Sequence, residues 1–255
     1  MITFFRRLRR SFLSAGLKQK YVFYALGEIA LVVIGILIAL QINNWNEWRK
    51  EHHTLKGYLE FMIEDIDSDK AQLEKLINDR ESSLALTTQI INAYKSQESI
   101  VMSDFLQAIN LIVLEQRFEN NTNGFDKALS SKMFDSEQFL TIRNLIRDYK
   151  KIIDDLSFRE DRHNAAIESM ESELLRNGYY DSVWSDFRAF YQPDYFQRAN
   201  EDRNVTEDIN RYGELKAIFL RNEWVMPFVI RDYRNIISLG ESLSNEIQDY
   251  LNNTE

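Results

Sequence analysis

The sequence predicts an all-α protein in which a single transmembrane helix continues into an elongated antiparallel helical bundle with coiled-coil-like packing. Three observations support this fold class. A long apolar run lies near the amino terminus, apolar residues recur at helical spacing through the rest of the chain, and 255 residues contain only 2 prolines and 8 glycines. So few chain breakers favour long helices over a turn-rich β fold.

Residues 1–20 are predicted to be a cytoplasmic, basic amphipathic segment. Phe5, Leu8 and Phe12 recur at helical spacing between arginines, a pattern typical of helices that lie on a lipid surface. The segment holds six Lys or Arg and no acidic residue. The positive-inside rule therefore keeps this end of the chain in the cytoplasm.

Residues 21–45 are predicted to form the transmembrane helix. No side chain is polar from residue 29 to residue 40, and a helix over 22–42 would be roughly 31 Å long, close to the thickness of a bilayer core. Tyr21, Trp45 and Trp48 flank it, as interfacial aromatics do. These flanks argue against a core helix of a soluble protein. The absence of small residues at signal-peptidase spacing favours an uncleaved anchor over a signal peptide.

Two features of this helix suggest a helix partner. Gly27, Gly35 and Ala39 share one face, which lets another helix approach closely, although glycine and alanine are also common in spans. Glu28 would lie roughly 10 Å deep if the helix enters the membrane at Tyr21. An ionisable group at that depth faces a partner, or else the helix sits lower and Glu28 reaches the headgroups.

The stretch GEIALVVIGILIALQINNWNE, residues 27–47, resembles the amino-terminal signature of an uncharacterised family of small bacterial membrane proteins. Residues 118–149, with Asn-Thr-Asn-Gly-Phe at 121–125, resemble the middle section of the same family. The resemblance implies a single-pass bacterial membrane protein with a helical outer domain. It implies no activity, so no catalytic residue can be transferred to this chain.

Residues 46–255 are predicted to form the extracytoplasmic helical bundle, beginning with a helix that continues from the span to about residue 96. Its heptad seam is apolar except at Asp69, Arg80, Ser83 and Thr87. A short helix over 104–116 follows, with Ser103 as its N-cap. Residues 120–124 are predicted to be a loop, and residues 125–131 a second short helix.

The second long helix is predicted to open at Ser136 and to stop at Asn177-Gly178. Asn204 or Thr206 can cap the last long helix, residues 207–251, and Pro227 should kink it. Phe228 belongs to the apolar stripe of that helix.

Charge and cysteine content exclude several classes of function. Residues 1–48 carry six Lys or Arg and two Glu, a net charge of +4, whereas the remainder carries a net charge of −13. Because nucleic acids need a basic surface, an acidic outer domain argues against nucleic acid as a partner. The chain has no cysteine, which excludes disulfides, thiolate nucleophiles and cysteine metal ligands.

Two motifs could bind a metal, and we interpret both as surface residues. Asp65, Asp67 and Asp69 begin like a calcium loop, but Lys70 and Leu76 occupy the positions where the loop needs Gly and Glu. We interpret this acidic string as a solvated helix face. Glu160 and His163 form half of a di-iron Glu-x-x-His motif. The second half is missing, so neither a metal nor another cofactor is expected.

The most aromatic stretch, residues 179–196, contains Trp184, Phe187 and Tyr191, which share a helical face. They could pack at the outer end of the bundle, or they could form a ligand or partner surface, since exposed aromatics are good anchors.

These observations predict a membrane-anchored interaction or scaffold protein of the bacterial inner membrane, with its bundle in the periplasm. It would associate with the bilayer and with itself or another membrane protein, as a homo-oligomer or as an accessory subunit of a cell-envelope complex. The alternative is a ligand-sensing bundle that signals through a partner. An enzyme is not expected, because no nucleophile–base pair, phosphate loop or metal-ligand set is present in the sequence.

Overall fold

The computed structural model describes residues 18–190 and 203–253, and it confirms the all-α class. Within these ranges the chain forms helices, turns and irregular connections, and no strand. The α-helices are α1 (Lys18–Ser96), α2 (Met102–Val113), α3 (Asn123–Ser130), α4 (Leu140–Arg176), α5 (Tyr179–Phe190), α6 (Val205–Arg211) and α7 (Gly213–Asn253). Two short 3₁₀ helices, Lys132–Asp135 and Glu137–Phe139, lie between α3 and α4.

The chain divides into two compact units, Met1–Lys56 and Gly57–Glu255. The described part of the first unit is the start of α1. Its apolar stretch has a mean hydropathy of 2.4, and none of that stretch is buried. Among the described residues, α1 is the one helix that is long enough and apolar enough to cross a membrane. Local contacts line its polar end: Asn43 donates a 2.9 Å hydrogen bond to Glu47, and Arg49 lies over the Trp45 ring.

The second unit is built on α4 and α7, which pack against each other along their length. They run antiparallel, since Tyr250 contacts Phe139 near one end, while Arg221 donates to the carbonyl of Arg162 towards the other. The part of α1 after Gly57 packs against both helices. Its seam is buried through the apolar positions Leu59, Met62, Ile66, Leu73 and Leu76 and also through the predicted polar ones.

A second cluster of buried apolar residues joins the ends of α1 and α4 to α2, α5 and α6. Here α2 begins at Met102 and ends at Val113, so the prediction of Asp104 to Gln116 was displaced, and Ser103 is not its cap. The reason is burial. Starting at Met102 places Met102, Phe105 and Ile109 on the buried face of the helix.

The ends of the long helices were predicted with mixed success. Gly178 terminates α4 with φ of +75°, a left-handed conformation that glycine adopts without steric cost, as predicted. Ser136 does not begin α4 directly, because a 3₁₀ turn precedes Leu140. Asn204 accepts a hydrogen bond from the Glu207 amide and caps α6, not one long helix.

The predicted last helix is interrupted at Tyr212, which has an extended backbone. Its ring packs edge-on against Tyr179, with centroids 4.9 Å apart, so leaving the helix allows this buried contact. Beyond the interruption, α7 continues through Pro227 to Asn253 as a single helix.

Candidate functional site

Polar side chains form a buried seam where α1, α4 and α7 meet. We call this the polar seam; its members are Asp69, Arg80, Ser83, Thr87, Glu160, His163 and Asn222, each no more than 3% exposed. Buried polar groups are costly unless they are hydrogen-bonded. The contacts of the seam therefore determine which arrangement of the three helices is stable.

The acidic string is not simply a solvated helix face, as it was interpreted from the sequence, because Asp69 and Asp65 bind groups of the chain itself. Asp69 is fully buried and accepts hydrogen bonds from the Asn121 amide (2.8 Å), the Asn121 side chain (2.9 Å) and the Tyr149 hydroxyl (2.9 Å). Burial raises the pKa of Asp69, while the bonds from Asn121 and Tyr149 oppose the rise. Asp65, one turn earlier, accepts a 2.6 Å bond from the Gly124 amide. The two carboxylates thus bind the amides that open α3, where the helix dipole favours negative charge.

Gly124 explains why α3 can come so near to α1. A Cβ atom built on Gly124 would lie 2.3 Å from the Met62 nitrogen and 2.7 Å from the Phe61 carbonyl carbon. These are backbone atoms of a long helix, which cannot move aside as a side chain can. The predicted loop, residues 120–124, is thus partly helical: α3 starts at Asn123 and buries Phe125 against Tyr149.

Glu160 and His163 are also buried, so the interpretation of the Glu-x-x-His pair as surface residues was wrong. Both oxygens of Glu160 are occupied: Tyr233 donates to one, and the Phe118 amide donates a 3.2 Å bond to the other. Burial raises the pKa of Glu160 against the opposing effect of these bonds and of Arg80. Both residues lie on the buried face of α4.

His163 lies near two arginines of the bundle, Arg80 and Arg221. Burial, followed by the charges of Arg80 and Arg221, lowers the pKa of His163 to about 4. The imidazole is therefore neutral near pH 7. Arg80 is 1% exposed and donates a 2.9 Å bond to the Gln116 carbonyl, which ties α1 to the connection after α2.

Asn222 forms the last level of the seam. Its side-chain amide on α7 donates to the Ser83 and Thr87 hydroxyls of α1, at 3.1 and 2.8 Å. These donors and acceptors come from residues more than 130 positions apart. The arrangement fixes the register of α7 on α1, as buried polar groups do in coiled coils.

Among the described residues, no three His, Asp or Glu side chains converge as a metal would need. The chemistry that the polar seam supports is hydrogen bonding between helices and neutral or paired burial of charge.

The predicted helix-packing face is open in the structure. Gly27, Glu28, Gly35 and Ala39 all lie in the exposed part of α1, and a Cβ atom on either glycine would meet nothing within 4 Å. The face is thus free to receive another helix, and its role stays a prediction.

The predicted aromatic surface lies outside the described residues: the side chains of Trp184 and Phe187 and the whole of Tyr191 are not described. Two neighbours at the start of α5 are core, because Tyr179 and Val183 are both buried. Arg203 binds the carbonyl and hydroxyl of Ser182, which fastens the start of α6 to α5.

An exposed group of rings and arginines on α4 and α7 was missed by the sequence analysis. We call it the arginine–aromatic patch; its members are Phe158, Arg159, Arg162, Trp224, Phe228 and Arg231. Trp224 is 72% exposed, Phe158 64% and Phe228 37%, so the assignment of Phe228 to the buried stripe was wrong. The spacing of Leu220, Trp224 and Phe228, four residues apart and off the core stripe, was the available signal.

Fold and site together define an all-α protein with one candidate membrane-spanning helix and a helical bundle specified by a polar seam. Residues 28–148 match the model of a family of unknown function (DUF6090), which confirms the resemblance inferred from the sequence. The matched range holds the apolar stretch, the Asp65 and Asp69 carboxylates and Gly124. No curated protein and no solved structure matches the chain.

Proposed function

We propose that this protein is a membrane-anchored helical interaction protein. It is held in the bacterial cytoplasmic membrane by α1, with the amino terminus in the cytoplasm and the bundle in the periplasm. There it assembles with itself or with another membrane protein of a cell-envelope complex. The single observation that carries the proposal is the apolar stretch of α1, which no other part of the described chain covers.

Both ends of that stretch support a spanning orientation. Basic residues precede it, and Trp45 and Trp48 follow it with exposed rings. Arg49 lies 5.3 Å from the centroid of Trp45, and the Trp48 ring stacks on His52. Amphipathic rings beside polar groups suit the boundary between lipid tails and water.

The use of polar groups in the bundle supports interaction rather than catalysis. The buried carboxylates of Asp69 and Glu160 are occupied by donors of the chain itself. These acceptors serve the fold, because they hold helices and connections of this chain together. The bundle therefore presents folded surfaces, and Gly27, Gly35 and Ala39 present a face at which a second helix could pack in lipid.

The experiment is chemical crosslinking of the full-length protein in native membranes, followed by affinity capture and mass spectrometry. The chain offers a matched pair of variants. Ala39→Leu adds bulk on the small-residue face, while Ala30→Leu adds the same bulk roughly half a turn away around the helix.

We expect Ala39→Leu to reduce the crosslinked species and Ala30→Leu to leave them unchanged. Equal effects of the two variants would mean that the small-residue face is not the contact. Wild-type protein that yields no crosslinked neighbour of any kind would refute the function itself. Protease added to spheroplasts should digest the chain after Arg49, and protection would refute the orientation.

A further inference from the structure

We propose that the arginine–aromatic patch of one copy docks in an acidic groove on a second copy of this chain, joining copies head to tail. The proposal rests on the proposed function, since it names the surfaces by which the anchored protein would assemble. The acidic groove lies between the end of α2 and α4; its lining includes Ile112, Glu115, Arg117, Asp161, Ala165, Ile167 and Glu168, and Arg117 pairs with Glu115 and Asp161.

The patch contains two groups of rings and arginines, each held together by contacts that the structure shows. Trp224 and Phe228 lie with ring centroids 6.2 Å apart, and the guanidinium groups of Arg159 and Arg231 both lie over the Phe228 ring, at 5.8 and 5.4 Å. Arg162 covers Phe158 in the same way, at 5.7 Å. Exposed tryptophan beside arginine is the composition that dominates binding energy at protein interfaces.

The arginines of the patch are held in place before any partner arrives. Arg159 donates a 3.0 Å bond to Asp232, and Arg231 binds the other oxygen of the same carboxylate at 3.1 Å. Asp232 is itself 6% exposed. Side chains fixed in this way lose less conformational entropy on binding than free arginines would.

The groove complements the patch in charge. It is a cavity of about 460 Å³ with the buried apolar residues Ile112 and Ile167 beneath a rim of Glu115, Asp161 and Glu168. Arg117 ties part of the rim together, with a 3.0 Å ion pair to Asp161. An aromatic ring can enter such a groove while the arginines around it meet carboxylates. Opposite charges of this kind also steer the two surfaces towards each other before they touch.

The two surfaces lie at the same level of the bundle. Gly240 of α7 meets Tyr149 of the antiparallel α4, so Trp224, sixteen residues earlier, lies near the level of Ala165. Ala165 belongs to the groove, which occupies a face of α4 roughly a third of a turn from the patch. Patch and groove can therefore meet without an axial shift when two bundles lie side by side and parallel.

Charge disfavours contact between two copies of the patch. If the patch bound the same patch on a second copy, its arginines would face arginines, which is unfavourable in a desolvated contact. Patch against groove is a heterologous contact when it repeats from copy to copy in rings or rows, whereas a two-fold exchange, in which each patch enters the groove of the other copy, stops at dimers. Anchoring in a membrane raises the local concentration of copies, so a contact of modest area is sufficient.

The absence of native cysteine allows a direct test by disulfide crosslinking of the full-length protein in its native membrane. Leu220→Cys places a thiol at the edge of the patch, and Glu168→Cys places one in the groove. The double variant should give a ladder of dimers, trimers and larger species under mild oxidation. Leu140→Cys with Glu168→Cys is the mismatched control, because Leu140 is at least as exposed as Leu220 but lies outside both surfaces.

Two further substitutions in the double-cysteine protein test the ring itself. Trp224→Ala should lower the ladder by about tenfold, the loss typical of a central interface tryptophan. Phe61→Ala, at another exposed ring, should leave the ladder unchanged.

Each alternative outcome overturns the proposal. Dimers from Leu220→Cys alone would mean a patch-to-patch contact. Dimers without larger species in the double variant would mean a two-fold exchange of patch and groove, and a disulfide to a different protein would mean a different occupant. No ladder in the double variant, when a general crosslinker still captures neighbours, would refute the patch and leave the proposed function standing. No captured neighbour by either method would refute both.

Discussion

Replacing Gly124 by alanine is the perturbation for which the structure makes the sharpest prediction. The added methyl group would lie 2.3 Å from the Met62 nitrogen and 2.6 Å from its Cα atom. Both are backbone atoms inside α1, so α3 must move away from α1. That movement also stretches the 2.6 Å bond between the Gly124 amide and Asp65.

Two terms set the magnitude. Overpacking a well-packed contact costs about 1–3 kcal/mol. Loss of a hydrogen bond to a charged acceptor adds about 1.5–3 kcal/mol. We therefore expect Gly124→Ala to lower the free energy of unfolding by about 3–5 kcal/mol, even though alanine favours helix more than glycine does.

Urea unfolding of the full-length protein in mild detergent, followed by far-ultraviolet circular dichroism, measures this change. Gly57→Ala is the matched control. Gly57 lies in α1, the helix that Gly124 approaches, and a Cβ atom at Gly57 would meet nothing within 4 Å. It should raise the free energy of unfolding by about 0.5–1 kcal/mol. The two substitutions are chemically identical and should have opposite signs.

Asp65→Asn separates the steric term from the electrostatic one. It removes the negative charge at the start of α3 but keeps the shape, and should cost about 1–2 kcal/mol. Combined with Gly124→Ala it should cost less than the sum, because both changes break the same contact. If Gly124→Ala costs no more than Gly57→Ala, the close approach of α3 to α1 does not exist in solution.

Three further outcomes are expected. Asp69→Ala should cost about 3–5 kcal/mol in the same urea assay, because the Tyr149 hydroxyl and the Asn121 amide lose their buried acceptor; a change under 1 kcal/mol would mean that water replaces the carboxylate. His163→Gln should flatten the loss of stability between pH 6.5 and 4: there the unfolded chain binds a proton that folded His163, with its pKa of about 4, does not, a difference of up to about 3 kcal/mol. Parallel pH curves for wild type and variant would contradict this assignment. Glu28→Leu should reduce the recovery of membrane complexes in mild detergent if Glu28 faces a partner helix, and unchanged recovery would place it at the headgroups.

The sequence was sufficient to predict the class, the long helices and the seam, because these depend on periodicity. Asp69, Arg80, Ser83 and Thr87 were recognised as seam positions by spacing alone, and all four are buried. Composition misled where spacing did not. Asp65 and Asp69 were interpreted as solvated because carboxylates usually are, and their partners, fifty or more residues away, could not be seen in the sequence.

The missed features share one physical cause: they depend on which helix lies opposite. Glu160 is buried because Tyr233 and Phe118 happen to face it. Tyr212 leaves the helix because a buried ring, Tyr179, is available to it. The exposure of Trp224 follows from how α7 is rotated against its neighbours, which apolar content alone does not reveal.

Residues of α1 pair with residues of α7 that are synthesised much later. Ser83 binds Asn222, and Lys70 binds Glu241, which is 171 residues further along the chain. At 5–20 residues per second, the part of the α1 stripe that α7 covers stays exposed for roughly 10 to 30 s after it is synthesised. During that interval the stripe can bind chaperones or the same stripe of a neighbouring nascent chain. Long sequence separation also slows folding itself. The cell must therefore protect the early half of this protein until its late half arrives.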